Sequence, residues 1–354
     1  MPAASHGTTR DKPVTPTRLR PAVLVVAVLG LVVVISVSTL LGAADLGWTR
    51  VVAEGWAQLT GGRSPLSATE AAIVWEIRLP RVILAGLVGA ALAMAGAAFQ
   101  GVFRNPLADP YLLGAAAGAG MAATIVVVAA PSVTGWIIGP LPLAAFAGAI
   151  GGVGLTWLLG RSAGGGTAVL LLAGVAVASF LTAIQTFVQQ LNTDTIKQVY
   201  SWMLGGLNTS GWHDVLVTLP YITLAGVVLC LCGRLLDVLA VGDDEATSLG
   251  INPGRVRIVV LLAASLATAA AVAVSGLIGF VGIVVPHVVR LLAGASYRVV
   301  VPLSLLGGAM FLIVADHIAR TAFAPAEVPI GVITAFTGAP FFLLVMRMNR
   351  GLIR

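Results

Sequence analysis

The sequence predicts an all-α integral membrane protein that crosses the bilayer about ten times. Three observations carry that. Of its 354 residues 58% are hydrophobic and only 10% charged, where soluble domains carry about 25% charged residues. Apolar runs of roughly 20 residues, the length that crosses a hydrocarbon core about 30 Å thick, recur along the chain. Basic residues collect at the ends of those runs, as membrane topology requires. The net charge of +6 is thereby accounted for without nucleic acid, and none is expected as a partner.

The elements follow in order. Residues 1–20 form a polar, basic tail with Arg10, Lys12, Arg18 and Arg20. The apolar run 21–43 is too long for a signal-peptide core and reads as a retained first span. "RLPR" (78–81) precedes span 82–103, and "RNPLADP" (104–110), with two prolines and an asparagine, makes a rigid turn before span 111–130. Spans 138–160 and 167–190 flank "RSAGGGT" (161–167). Gln185, Gln189, Gln190 and Asn192 cluster at the far end of the latter, before "YSWMLGGLNTSGW" (200–212). Span 214–233 holds Cys230 and Cys232, whose two-residue spacing keeps them from facing each other on a helix. Almost 40 apolar residues then divide at Ser275 and Gly276 into spans 257–275 and 278–294, followed by 300–318 and 331–347. The chain is thus a tail, 1–20, and one membrane domain, 21–354.

Ten crossings leave both termini on one side. With the N-terminus in the cytoplasm, fourteen basic residues lie inside and six outside, namely Arg50, Arg63, Arg78, Arg81, Lys197 and Arg320. That is the expected bias and predicts a multi-pass protein of the cytoplasmic (inner) membrane. The two halves also echo each other. Shifted by 180 residues, Ala91, Gly96, Pro106 and Gly114 overlie Ala271, Gly276, Pro286 and Gly294. This carries span 2 onto span 7, so a true repeat would be inverted, as in many transporters. Matching of small residues by chance is the competing account.

No catalytic set is visible. The only lysines, Lys12 and Lys197, do not sit in the glycine-rich loop that cradles nucleotide phosphates, and neither a zinc-protease helix nor a serine elbow is present. His6, His213, His287 and His317 show no ligand spacing, so no metal site is expected. If transport is energised by ATP, another subunit must hydrolyse it. The hydrophilic stretch 235–257 is the other conspicuous feature. Asp243, Asp244 and Glu245 open a short helix that Gly250 ends, with Ala246, Leu249 and Ile251 on an apolar face and Leu235, Leu236, Val238 and Leu239 on a second helix upstream. The pair reads either as a docking surface or as a solvated connection between spans.

Four long segments resemble the FecCD-type permeases, membrane subunits of ABC importers for iron–siderophores, haem and vitamin B12. They are "RLPRVILAGLVGAALAMAGAAFQGVFRNPLADPYLLGAAAGA", "VGDDEATSLGINPGRVR", "GLIGFVGIVVPHVVRLL" and "ADHIARTAFAPAEVPIGVITAFTGAPFFLLVMR". The resemblance runs from about residue 21 to the C-terminal end. It implies a ten-helix permease that pairs with a second permease, identical or different, and with two ATPase subunits that bind ATP and magnesium. It also implies a separate substrate-binding protein, and no cofactor on this chain.

The resemblance also implies roles. Segment 237–252, with Asp243, Asp244, Glu245, Ala246, Leu249 and Gly250, would be the coupling loop that docks on the ATPase. Asn105 and Leu107 match gate positions at the cytoplasmic end of the pore. Gly164, Gly165 and Gly166 stand where family members often carry small hydroxyl residues, so the second gate element is expected to be wider or more mobile here. Arg78, Arg81 and Arg320 match arginines that meet glutamates of the binding protein; from sequence alone, snorkelling to headgroups is the competing account. Gln185, Gln189, Tyr200 and Trp202 match the path lining, with interfacial anchoring as the alternative for the aromatic pair.

A secondary transporter is the rival class, and it would want ionisable groups deep in the bundle. Asp316 is the one candidate. Iron–siderophore leads as cargo, with vitamin B12 and haem open.

Overall fold

The computed structural model describes residues 19–42, 44–129, 139–207 and 211–348. Residues 1–18 of the expected tail, with Arg350 and Arg354, lie outside them. Helix α1 (Pro21–Leu40) starts with proline at its first position, where the missing N–H costs nothing. Helix α2 (Trp48–Thr60) ends at Gly61, and α3 (Ala68–Ala72) is held by a capping box between Ser67 and Glu70. A π-helical turn, Ile73–Arg78, leads from α3 into α4 (Leu79–Phe103). There follow α5 (Ala115–Ala129), α6 (Pro140–Ser162), α7 (Thr167–Leu191), the short α8 (Ile196–Met203) and α9 (Trp212–Val241). The last five are α10 (Asp243–Ser248), α11 (Pro253–Ser275), α12 (Val281–Ala293), α13 (Tyr297–Thr321) and α14 (Ile330–Met348).

The ten predicted spans fall, in order, on α1, α4, α5, α6, α7, α9, α11, α12, α13 and α14. Among the described residues seven helices are long and apolar enough to cross a membrane, and Ala115–Ala129, Val281–Ala293 and Ile330–Val345 are shorter. The alternation sorts the connections to two ends. We call the end bearing Arg104, Gly164, Asp243 and Gly294 the near end, and the end bearing Arg78, Asn192, Gly276 and Glu327 the far end.

Helix α4 is the centre. It is buried along nearly its whole length and packs chiefly on α13, α11 and α9. Small residues let backbones touch, as membrane helix packing favours. A Cβ on Gly89 of α4 would lie 2.1 Å from the carbonyl oxygen of Gly308 on α13. Helix α1 sits at the edge, against α13, with most of its apolar surface bare.

Two expectations change. Residues 235–239 are not a separate amphipathic helix but the last turns of α9, because Leu236 and Leu239 are fully buried against neighbouring helices. At the 180-residue offset the local structure differs as well. Residues 96–100 lie within α4, whereas 276–280 lie between α11 and α12, and Pro106 sits in a turn while Pro286 is inside α12.

The predicted split at Ser275 and Gly276 is where α11 ends, with Gly276 at φ +66°. The irregular backbone that follows finds partners, as it must away from water. Tyr111 Oη donates to Ile278 O at 3.1 Å and faces Ile278 N at 3.2 Å. Gly206 N donates to Ser275 O at 2.9 Å, and Ile330 N to Gly205 O at 3.1 Å. The segment after α8 thereby ties the far end of α11 to the start of α14.

Candidate functional site

The near end is built around one carboxylate. Helix α4 stops at Arg104, which takes the left-handed conformation at φ 49° and bonds its N–H back to Gln100 O. The next turn is fixed locally. Asn105 N also bonds Gln100 O, Ala108 N bonds Asn105 O at 3.0 Å, and Asn105 Oδ1 accepts from Leu107 N at 2.9 Å. Leu107 projects from this turn, about half exposed.

Asp243, first residue of α10, does not face outward with its neighbours. Its two oxygens accept from Arg257 Nη1 and Nη2 at 2.8 and 2.7 Å, and Arg104 Nη2 bonds the same carboxylate. Arg104 Nε also donates to Leu239 O at 2.6 Å, a carbonyl in the last turn of α9. Hydrogen bonds from Arg257, then from Arg104, hold the Asp243 carboxyl below its ordinary range.

Of the expected coupling set, then, Asp243 is engaged internally and Ala246 is fully buried, while Asp244, Glu245 and Leu249 face outward, Leu249 at 68% exposure. Gly250 ends the helix at φ +77°. Asp243 differs from the other two acids in being held by two arginines of its own chain, with 43% of its side chain still exposed.

Gly164, Gly165 and Gly166 join α6 to α7 with φ of +103°, +70° and +96°. A Cβ on any of them would meet nothing within 4 Å. Backbone conformation, not lack of space, accounts for glycine at all three.

At the far end Arg78, Arg81 and Arg320 converge, but inward. Arg78, 5% exposed, donates to Thr39 O at 3.5 Å and to Ala44 O, with its guanidinium against Gly42. Arg320, 6% exposed, has Nε 2.9 Å from Asp316 Oδ2 and donates to Ser38 Oγ at 3.0 Å. Arg81 Nε donates to Asp316 Oδ1 at 3.1 Å, and its two terminal nitrogens reach Glu327 Oε1 and Oε2 at 3.0 and 2.9 Å. Of the three arginines expected to dock the binding protein, Arg78 and Arg320 are enclosed within the chain. A guanidinium this enclosed must spend its donors inside the chain, and here it spends them tying the end of α1 and the start of α4 to α13. Asp316, fully buried, is one member of that paired cluster, rather than a lone acid in the bundle.

The lining set divides too. Gln185 is buried and donates to Met203 Sδ at 3.0 Å. Tyr200 is exposed on α8, while its neighbour Val199 is buried. Trp202 lines a cavity of about 1210 Å³ with Asp194, Lys197, Ser201 and His213. Gln189 leaves its amide nitrogen without a protein partner. Arg104, Arg257 and Glu327, which the sequence does not single out, complete these paired clusters. The pairing of Asp316 with Arg320, four apart on one helix, was the one internal contact its spacing could have exposed.

With this geometry in hand, the chain can be compared with known proteins. It matches the FecCD transport family over residues 29–348. It is 43% identical over 285 residues to the uncharacterized ABC transporter permease protein YvrB of Bacillus subtilis (strain 168), covering 79% of this chain and 80% of that one. It is 43% identical over 280 residues to the cobalamin import system permease protein BtuC of Halobacterium salinarum, covering 79% and 74%. It is 39% identical over 280 residues to the hemin transport system permease protein HmuU of Yersinia pestis, covering 78% and 84%. Among solved structures, an inward-facing conformation of a metal-chelate type ABC transporter superposes with a TM-score of 0.79 at 27% identity, covering 93% of this chain and 100% of the other.

Proposed function

The chain belongs to the FecCD transport family, and from that premise we propose that it is the permease of an ATP-driven importer whose cargo is an iron–siderophore complex. It is a multi-pass membrane protein and a transport component, not itself a catalyst. We place the near end in the cytoplasm and the far end outside, in the inner membrane, with both termini cytoplasmic. Two copies, or this chain and a close relative, enclose the pore.

The observation that carries the reading is the near-end surface. Asp244 and Glu245 on α10 and Leu249 at its C-terminal cap stand exposed, beside the turn that carries Leu107, in a chain without a phosphate-binding loop. Helix α10 is the docking element for an ATPase that supplies ATP and magnesium; this chain holds neither. The turn at Asn105 and Leu107 narrows the pore, and the glycine turn 164–166 lies at the same end. At the far end Arg81, the arginine with a solvent-exposed partner, receives a carboxylate of the binding protein. Relatives named for iron–citrate import support an iron chelate as cargo.

The test is uptake into proteoliposomes holding the permease, its ATPase and its binding protein. Radiolabelled ferric siderophore, haemin and cobalamin are offered in turn. ATP-dependent accumulation of the siderophore alone fits the proposal. Accumulation of cobalamin or haemin instead reassigns the cargo, and no ATP-dependent uptake of any of them removes the reading.

A further inference from the structure

We propose that Asp243 transmits movement of α10 to the turn Asn105–Ala108 through Arg104. The inference rests on the reading above, in which α10 docks on the ATPase and the turn narrows the pore; it adds the residues that connect the two.

An acid at the start of a helix ordinarily serves that helix, by capping its free N–H groups or facing its positive end. Asp243 stands in the first turn of α10, but that helix has no side-chain cap. The residue before it is Gly242, which has no side chain to offer, and the Asp243 carboxylate is directed onto arginines of two other helices. Four elements therefore meet at one group: α10 through its own backbone, α11 through Arg257, α4 through Arg104, and α9 through the Leu239 carbonyl that Arg104 also binds. Carbonyls in a last helical turn have no partner within the helix, so this bond fixes Arg104 from a second side.

Between α10 and Leu107 there is no slack. Arg104 is the last link of α4, held in a left-handed corner, and Asn105 follows directly. Three local hydrogen bonds then fix the path from Asn105 to Ala108. A pull on Asp243 reaches the Leu107 side chain through one ion pair and four residues of constrained backbone. Arg257 has a different place. It anchors the same carboxylate to α11 with two bonds but leads to no turn. The link is also half exposed, with side-chain exposures of 43% for Asp243 and 38% for Arg104. Exposed ion pairs contribute only modestly to stability, so the fold survives the loss of this one.

These placements make an asymmetric prediction. The experiment uses the complete transporter in proteoliposomes, with Cys230→Ser and Cys232→Ser as background and Leu107→Cys as probe. The maleimide labelling rate at position 107 is read without nucleotide and after trapping with ATP and vanadate. The background should change its rate about tenfold, a shift of about 1.4 kcal/mol in the opening equilibrium. Asp243→Asn and Arg104→Gln should each bring that ratio close to one while the ATPase still co-purifies. Arg257→Gln should keep most of the ratio, and Asp243→Glu should retain it in part.

An unchanged ratio in both Asp243→Asn and Arg104→Gln overturns the inference. So does an equal collapse in Arg257→Gln, which would make the cluster a static contact. Loss of the ATPase in Asp243→Asn would make Asp243 a docking residue instead. A background that co-purifies no ATPase, or shows no change at position 107, defeats the functional reading itself and the inference with it.

Discussion

Arg81 and Glu327 meet as a two-pronged pair, 246 residues apart in the chain, with guanidinium nitrogens 3.0 and 2.9 Å from the two carboxylate oxygens. Glu327 stands on the turn after α13 with its side chain 49% exposed, while Arg81 is anchored behind by Asp316. The Glu327 contact is therefore exchangeable with solvent and the Asp316 contact is not.

That exchange is testable. Glu327→Gln should free the outer face of Arg81 and speed association with the cognate binding protein at low salt. Arg81→Glu should slow it by about tenfold and flatten its salt dependence, since rim charges act mainly on association rate. Stopped-flow association across a salt series checks both. Unchanged rates in the two variants would take Arg81 out of the docking surface.

Asp316 carries a different load. Asp316→Ala leaves Arg320 enclosed and unpaired beside Ser38. Removing one partner of a buried pair costs about 3–5 kcal/mol, so the detergent-solubilised variant should unfold at much lower denaturant. Asp316→Ala with Arg320→Met should recover most of the loss. A single variant as stable as the parent would show that the cluster is not needed for the fold.

Three glycine substitutions should separate space from conformation. Gly118→Ala puts a Cβ 2.0 Å from the Gly148 carbonyl oxygen and must push α5 from α6, at a cost of about 1–3 kcal/mol. Gly165→Ala meets nothing within 4 Å but sits at φ +70°, which costs about 1–2 kcal/mol. Gly151→Ala meets nothing and is helical, so it should stabilise by roughly 0.5–1 kcal/mol. Unfolding midpoints rank them, and any order other than Gly151→Ala most stable contradicts the packing described.

The depressed Asp243 carboxyl fixes the sign of a pH effect. A group whose folded value lies below its unfolded one contributes above the unfolded value and loses its contribution as pH falls through the folded one. The unfolded value is about 3.9. The difference in unfolding midpoint between the parent and Asp243→Asn should stay flat from about pH 8 to 5 and narrow only below about 4. A difference that vanishes near neutral pH would mean the arginines do not hold the carboxylate.

The spans were legible because lipid demands long apolar helices with every backbone group bonded internally, a demand written into local composition. Even the break at Ser275 could be placed. What stayed hidden depends on pairing across the chain. Arg81 finds Asp316 and Glu327, and Arg104 finds Asp243, at separations of 235, 246 and 139 residues. No window of sequence shows whether an arginine at a helix end looks out or in. The amphipathic α2 and the turn of α3 were missed for another reason: Trp48, Glu54 and Trp56 mix polar and apolar residues too closely for a span and too briefly for a clear helical stripe. Family resemblance named Asp243 but not its direction.

The short helix α12 bears on the surrounding bilayer. At 1.5 Å per residue, the 13 residues of α12 rise about 20 Å, against a hydrocarbon layer about 30 Å thick. Where such a helix faces lipid, acyl chains must shorten or the leaflet must dip to meet it, at fractions of a kcal/mol per ångström. The protein thus carries a local elastic preference at α12, and lipids with shorter tails should gather where that helix comes nearest the bilayer.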